Sequence, residues 1–424
     1  MRRLAMLLSF VLVAPSALAQ EKDKLPKWRI DPYTKNDPEA MAKAGYLNFG
    51  PFRFGGIGDQ AVQSTEIDAA LEPVQVLWLE TAHFRIGVNL NEWVVPVDLP
   101  TRTKIRAELE ELQQKLPKVN PKAKVLDPWL RAHMMAQRCE KLYAETQQLF
   151  GVTDKDFPAD ESKVIRMPGA RYMGQGPYLG MQDKFLVLAT QKMATFQTYM
   201  KRFLGKDHKF AQRWHFRENH SILIALPIES EEFPLKHDTA LHCALAFNLS
   251  QNFLDGFRHY SYNLPVWLRE GFGHWNCRRV DTKWPNFTGD EGGMPDVRVV
   301  DKWDVLTRNL IAQGKVSSFA ETAGWRSFTD IKFPDHVAIW SRVDWLLAQD
   351  AGSSGAGPIT GGGPGTKWQK FLFAIKGRVD AEWNADQNDL VGAIRDALKD
   401  AYGVSTLDID AKWAEWVKAT YPAQ

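Results

Sequence analysis

The sequence contains little cysteine: Cys139, Cys243 and Cys277 are the three in 424 residues. A scaffold stapled by disulfides needs several cysteine pairs, so that class of protein is excluded and a buried core must supply the stability. Because the number of thiols is odd, at least one of them is unpaired within a monomer. The sequence therefore predicts an ordinary folded protein rather than a small disulfide-rich domain.

Neither sign of charge is in clear excess. Lys and Arg number 53 against 51 for Asp and Glu, which gives a formal net charge of +2. Proteins that bind nucleic acids or anionic membrane surfaces through charge carry a distinct basic excess. We therefore expect no nucleic-acid partner.

Long apolar runs are confined to the N-terminus. Beyond residue 19 no stretch reaches the roughly 18 apolar residues that a membrane span requires, so no span is expected. Residues 1–19 combine Arg2 and Arg3 with an apolar stretch and end in Ala17-Leu18-Ala19. This arrangement is typical of a cleaved secretory signal peptide, and it predicts a periplasmic or secreted protein.

The pattern of apolar residues predicts strands in the first half of the chain and mostly helices after it. Apolar or alternating stretches predict strands at 74–79, 83–88, 185–188 and 222–226. Helical periodicity and helix-start residues predict helices at 103–116, 128–150, 193–203, 237–253, 265–279, 336–348, 367–375, 389–401 and 407–420. This order indicates an α+β fold.

The same pattern divides the chain into five parts: the signal peptide 1–19, an extended N-terminal arm 20–72, an α+β core 73–350, a Gly-rich loop 351–366 and a helical C-terminal part 367–424. The Gly-rich loop has seven glycines among residues 351–365 but lacks the Gly-Lys-Ser/Thr order of a phosphate-binding loop. We expect a flexible surface segment there.

One string carries most of the functional information. Residues 264–275 read LPVWLREGFGHW and follow the long apolar helix predicted at 237–253. This string resembles the second zinc-site helix of the gluzincin metallopeptidases, the thermolysin and aminopeptidase type, including related secreted bacterial proteins. The resemblance implies a gluzincin-like fold, in which N-terminal strands and helices precede a two-helix site and a helical C-terminal part. It also implies that Glu270 stands at the position of the third zinc ligand.

The first helix departs from the family pattern. In that family the helix carries His-Glu-x-x-His, and the best match here places His242 at the first ligand, Cys243 at the catalytic Glu and Ala246 at the second His. Two histidines four residues apart share a helix face and can bind one zinc, but alanine offers no ligand atom. A thiol is also a poor proton shuttle for a zinc-bound water. The resemblance therefore implies a degenerate site with no catalytic residue and no expected cofactor, retained for binding or structure.

Two alternatives remain open at this stage. His242, Glu270 and His274, with help from Cys243, could form a rearranged zinc site and make the protein an active metallohydrolase. His274 and Cys277 lie four and seven residues after Glu270 and share its helix face. We expect Cys277 and His237 to lie beside such a site without binding metal. We also expect His237 to be a helix cap or a surface residue.

The second alternative rests on the tryptophans. The chain has 16, of which seven lie between Trp267 and Trp345. Exposed indole rings stack on sugars or apolar peptides, whereas buried ones are simply core residues. A Trp-rich glycan or peptide binding module is therefore a third interpretation, and the partner could be a peptide, a protein or a cell-wall ligand.

The two predicted site helices also bring two thiols into the same region. Cys243 lies on the face of the first helix that meets the second, and Cys277 shares the face of Glu270. In an oxidising compartment we hypothesise a Cys243–Cys277 disulfide, which would leave Cys139 free.

Overall fold

The fold is known here from a computed structural model. It describes residues 25–423, apart from 59, 168–169, 231–234, 262–263, 289–300, 351–362, 364, 384–385 and 387. The predicted signal peptide and most of the predicted Gly-rich loop lie outside the described residues, so both stay predictions.

A mixed five-stranded sheet lies at the centre. Numbering strands in chain order, its members are β3 (Leu77–Glu80), β4 (Phe84–Asn89), β7 (Phe185–Thr190), β8 (Gln212–Phe216) and β9 (Ser221–Pro227), in the spatial order β3-β4-β7-β9-β8. The three middle strands are parallel, and each edge strand is antiparallel to its neighbour. All residues of β7 and β9 are buried, which explains their continuous apolar sequences, because helices cover both faces of a parallel sheet.

Two small strand pairs lie outside the central sheet. They are β1 (Arg53–Ile57) with β2 (Gln60–Gln63), and β5 (Trp93–Val94) with β6 (Val125–Leu126). The described residues also form thirteen α-helices: α1 (Pro38–Ala44), α2 (Ser64–Leu71), α3 (Leu99–Lys115), α4 (Pro128–Phe150), α5 (Met193–Tyr199), α6 (Asp238–Gly256), α7 (Val266–Val280), α8 (Trp303–Ala312), α9 (Phe319–Gly324), α10 (Phe333–Ala348), α11 (Lys367–Lys376), α12 (Leu390–Tyr402) and α13 (Ile409–Thr420). The α+β class is confirmed.

The N-terminal region is folded, and the prediction of an extended arm at 20–72 is wrong for its described part. Residues 38–71 contain α1, the β1–β2 hairpin and α2. These elements are short, and tertiary contacts hold them in place. Trp129 Nε1 donates a hydrogen bond to the Trp28 carbonyl at 2.9 Å, and the ring of Phe54 meets that of Trp78 edge-on at 5.1 Å. Local periodicity is too weak to reveal elements of this length.

The tryptophans belong to the core. All sixteen are in the described residues; ten are buried and the other six are partly buried. Trp267, Trp303, Trp368 and Trp413 are among the largest fully buried side chains of the chain. Most of the indole rings are therefore core residues, which favours a packing role for the tryptophans over an exposed stacking surface.

The helices α6, α7 and α10 form the centre of the helical half. Almost every residue of α6 and α7 is buried, and α10 packs against the other side of α7. His237 caps α6, since its Nδ1 accepts a hydrogen bond from the Thr239 N–H at 3.3 Å, as predicted. No helix among the described residues combines the length and the apolar character needed to cross a membrane.

The contact between α7 and α10 depends on a glycine. A Cβ atom added at Gly271 would lie 2.8 Å from the Ile339 carbonyl oxygen and 2.9 Å from Val343 Cγ2. Both distances are too short for real carbon contacts, and the backbone oxygen has no rotamer with which to move away. The close approach of the two helices therefore requires the absence of a side chain at this position.

We expect Gly271→Ala to lower the free energy of unfolding by about 1–3 kcal/mol, the usual cost of overpacking a core. The matched control is Gly324→Ala near the end of α9, where an added Cβ meets nothing within 4 Å. Urea unfolding followed by circular dichroism measures both variants. Equal stabilities for the two variants would contradict this interpretation of the α7–α10 contact.

Candidate functional site

One face of α6 lines a cleft of about 320 Å³ between α3, α4, α6 and α7. His242 and Ala246, the predicted first and second histidine positions, both line it. His242 Nδ1 lies 3.2 Å from Oε1 of Glu108 on α3, and Oε2 of Glu108 accepts a hydrogen bond from Arg138 on α4 at 2.6 Å. The cleft therefore contains an imidazole held by a carboxylate that is itself held by a guanidinium.

The charges around His242 set its protonation. Burial alone would raise the pKa of Glu108, but Arg138 and His242 outweigh burial and lower it to about 2. Burial, and then the charge of Arg138, lower the pKa of His242, although Glu108 acts in the opposite direction. At neutral pH the pair is therefore an ionised Glu108 beside a neutral imidazole.

Cys243 is turned away from this cleft. Its thiol is fully buried, packs against Phe247 and Cys277, and has its Sγ 3.7 Å from the Asp281 carbonyl oxygen. Burial, followed by the neighbouring Cys277, raises the pKa of Cys243 well above the usual range of a thiol. A protonated, enclosed thiol is neither a base nor a nucleophile.

Cys243 and Cys277 lie close together, as predicted, in one small buried cluster. The hypothesised disulfide is absent, since both residues are free cysteines here, as is Cys139. Cys277 instead has its Sγ 3.3 Å from the Trp284 carbonyl oxygen.

A second group of polar residues is buried where α7 meets α10. Glu270 and His274 come from successive turns of α7, and His336 comes from the N-terminal part of α10. Oε1 of Glu270 lies 3.7 Å from His274 Nε2 and 3.6 Å from His336 Nδ1, and the two ring nitrogens are 3.0 Å apart. Glu270 and His274 are 0% exposed and His336 is 2% exposed. In the described part of the chain this is the one group of His, Cys, Asp or Glu side chains with metal-ligand spacing.

The carboxylate of Glu270 is anchored from its other side. Thr288 Oγ1 donates a hydrogen bond to Oε2 at 2.7 Å, and the Thr288 N–H donates to Oε1 at 3.2 Å. Gln251 on α6 lies 3.5 Å from Oε2. Burial raises the pKa of Glu270 to about 7, although the Thr288 hydrogen bonds act to lower it.

Both imidazoles of this group are neutral at physiological pH. Burial lowers the pKa of His336 to about 3. Burial, and then the nearby His336 and Arg278, lower the pKa of His274 well below its usual range. Neutral imidazole is the form of histidine that binds metal ions.

The structure brings Glu270 and His274 together and keeps His242 apart from them. The alternative in which His242 joins Glu270 and His274 in one zinc site is therefore not the arrangement that the described side chains form. The reason is the rotation of α6: its face towards α7 carries residues at four-residue spacing, namely Cys243, Phe247 and Gln251. Position 242 is rotated by about 100° from position 243, which directs His242 into the cleft.

His336 is the residue that the sequence analysis missed. It lies 62 residues after His274, on a helix that the sequence predicts correctly but assigns no role. The one available indication was a histidine at the start of an otherwise apolar helix.

His237 belongs neither to the residues that line the cleft nor to the Glu270 group. It stacks on the Trp284 ring at 4.9 Å and meets Trp93 edge-on at 5.3 Å, in addition to capping α6. Its role in the structure is that of a capping and packing residue.

Comparisons of the chain with protein-family models, with curated proteins and with solved structures find no match. The gluzincin relationship stays a prediction that rests on the string around Glu270.

Proposed function

We propose that this chain is a secreted or periplasmic, peptidase-like protein that binds short peptides in the cleft beside His242 without hydrolysing them. One observation supports this most. His242 and Ala246 line a cleft of ligand size, whereas Glu270 is buried at the contact with α10. The three positions that the resemblance assigns to zinc therefore do not share a site, but two of them face the cleft.

The absence of hydrolysis follows from the residues at those positions. A catalytic zinc needs three converging protein ligands and an open fourth position for water. Here Ala246 offers no ligand atom, and Cys243 lies against Cys277 rather than beside the cleft. No carboxylate stands at the position of the general base, so a bound peptide would meet no activated water.

The chemistry of the cleft favours a short peptide as the ligand. Its volume lies at the lower end of the range of small-molecule sites, about 300–1,000 Å³. The lining offers charges of both signs. They belong to two ion pairs, Lys141–Glu111 and Arg279–Glu145, each with 3.3 Å between nitrogen and oxygen. Apolar lining comes from Ile105, Leu142, Leu245 and Val280. A short peptide has an ammonium group, a carboxylate and apolar side chains, which complement these three features.

Isothermal titration with the unlabelled tripeptide Ala-Leu-Ala tests the binding. We expect measurable binding by the full chain, and about 10- to 150-fold weaker binding by Arg279→Gln, because a hydrogen bond to a charged group contributes about 1.5–3 kcal/mol. Lys118→Gln, an exposed lysine outside the cleft lining, is the matched control and should bind normally. The same tripeptide with acetylated and amidated ends should bind more weakly.

Two results would contradict the proposal. One is a folded wild-type protein that binds none of these peptides at millimolar concentration. The other is zinc-dependent cleavage of a peptide, followed by mass spectrometry, that is lost in His242→Gln. The first outcome would exclude a peptide as the ligand of the cleft. The second would show that the protein hydrolyses peptides, contrary to the proposal.

A further inference from the structure

We propose that Glu270, His274 and His336 bind one zinc ion, which joins α7 to α10. This is the rearranged metal site of the sequence analysis with His336 in the place of His242. It lies outside the cleft lining and does not depend on peptide binding there. Two of the donors come from one helix at four-residue spacing, which places them on one face, and the third comes from the helix packed against that face.

The distances between the donors suit a single ion. The three donor atoms are separated by 3.0, 3.6 and 3.7 Å. A point equidistant from three atoms with these separations lies about 2.0 Å from each, and Zn–N and Zn–O bonds are about 2.0–2.2 Å long. One ion can therefore contact all three donors with little movement of the side chains.

The carboxylate is oriented for this role. Thr288 Oγ1 donates a hydrogen bond to Oε2 of Glu270, and the Thr288 N–H donates a longer one to Oε1. Oε1 is also the oxygen that lies near both imidazoles. Metal-binding carboxylates are commonly fixed by such hydrogen bonds from outside the ligand set. Thr288 thus acts as a positioning residue for the third ligand.

The proposed ion would fix the ring protons of the two histidines. Without an ion, one of the facing nitrogens, His274 Nε2 or His336 Nδ1, donates a hydrogen bond to the other at 3.0 Å, and zinc would replace this bond. The ring protons would then lie on the outer nitrogens, His274 Nδ1 and His336 Nε2. Both outer nitrogens are buried and have no hydrogen-bond partner among the described residues, so we expect ordered water to accept from them.

Zinc is the ion that this environment favours. Two imidazole nitrogens and one carboxylate oxygen are a donor set that zinc accepts. Aromatic rings enclose the donors: Phe247, Phe287 and Trp303 lie 5.0–5.2 Å from the ring of His274. None of the three donor residues lines the cleft beside His242. Three protein ligands leave the fourth position of a tetrahedral zinc to a water molecule. Because the site is buried between α7 and α10, we assign the ion to holding these helices together.

Metal titration of the full chain tests the proposal. The protein is stripped with a chelator, checked by circular dichroism, and titrated with zinc against a chromophoric competitor. We expect one equivalent to bind and the thermal unfolding midpoint to rise, since a ligand that binds the folded state stabilises it. Because changes to residues around a metal site already weaken binding by 10–100-fold, His336→Gln, which removes a ligand, should weaken it by at least about 100-fold.

Further variants separate this site from the predicted one. His242→Gln is the matched control and should bind zinc like the wild type, because His242 lies in the cleft. Thr288→Val should weaken binding by about 10–100-fold, because it removes the side-chain hydrogen bond to Oε2 of Glu270 and keeps the backbone one to Oε1. If His336→Gln fails to fold, Glu270→Gln, which keeps the shape of the side chain, provides the same test. A folded wild type that takes up no zinc, or zinc uptake that depends on His242 and not on His336, would overturn the proposal.

Discussion

Replacing Asp255 by asparagine is expected to lower the free energy of unfolding by about 3–5 kcal/mol, because it leaves buried cations without their counter-charge. Asp255 lies near the C-terminus of α6 and is 2% exposed. Its Oδ2 accepts a hydrogen bond from Arg213 on β8 at 2.7 Å, and its Oδ1 lies 3.1 Å from Nε of Arg269 on α7. Lys376 on α11 donates to the Asp255 carbonyl at 2.8 Å. One carboxylate therefore links the edge of the sheet to the helices that carry the site.

The matched control for this prediction is Asp396→Asn. Asp396 pairs with Arg395 at 2.9 Å, but both side chains are more than half exposed. Exposed pairs contribute about 0–1 kcal/mol, so this variant should unfold close to the wild type in urea. Equal losses for the two substitutions would mean that Asp255 does not compensate buried charge.

Trp303→Ala should also destabilise the protein by about 3–5 kcal/mol, the cost of removing a large buried aromatic side chain and leaving a cavity. Trp303 is fully buried at the start of α8. Its ring lies 5.0 Å from that of His274 and 6.0 Å from that of Trp340, and the Arg278 guanidinium lies above it at 4.3 Å. The indole therefore fills the space between α7, α8 and α10.

Trp416→Ala is the control for Trp303. This tryptophan on α13 is partly buried and packs against Tyr421 at 5.1 Å, so it has less apolar surface to lose. Differential scanning calorimetry of both variants gives the comparison. A Trp303 variant that melts no lower than the Trp416 variant would contradict the assignment of Trp303 to the packing around His274.

Peptide binding and zinc binding can fail independently, because they use different residues. Loss of peptide binding in Arg279→Gln with normal zinc uptake would support the proposal of peptide binding in the cleft. Loss of zinc binding in His336→Gln with normal peptide binding would support the proposal of the buried zinc site. The two experiments together therefore decide whether the chain has one ligand site, two or none of those proposed.

The positions of most long elements followed from the sequence by itself. Residues 128–150 were predicted as a helix ending at Gly151, and α4 spans Pro128–Phe150 with Gly151 at φ 66°. Asp127 caps it by accepting a hydrogen bond from the Leu130 N–H at 3.0 Å. Such boundaries are local: a capping carboxylate, an apolar period of 3.6 residues and a glycine that tolerates a left-handed conformation decide them. The α+β class followed from the order of these segments.

The composition of the site was decided by the tertiary structure alone. Glu270 and His274 are four residues apart on α7, so the sequence alone places them on one helix face. Their third partner, His336, depends on how α10 packs against α7. Likewise, a long apolar helix such as α6 is buried on nearly all sides, so its pattern does not reveal which face meets α7. That rotation places Cys243, Phe247 and Gln251 against α7 and His242 in the cleft. Side-chain packing between segments that are distant in the sequence determines the rotation of α6, and local sequence patterns do not contain that information.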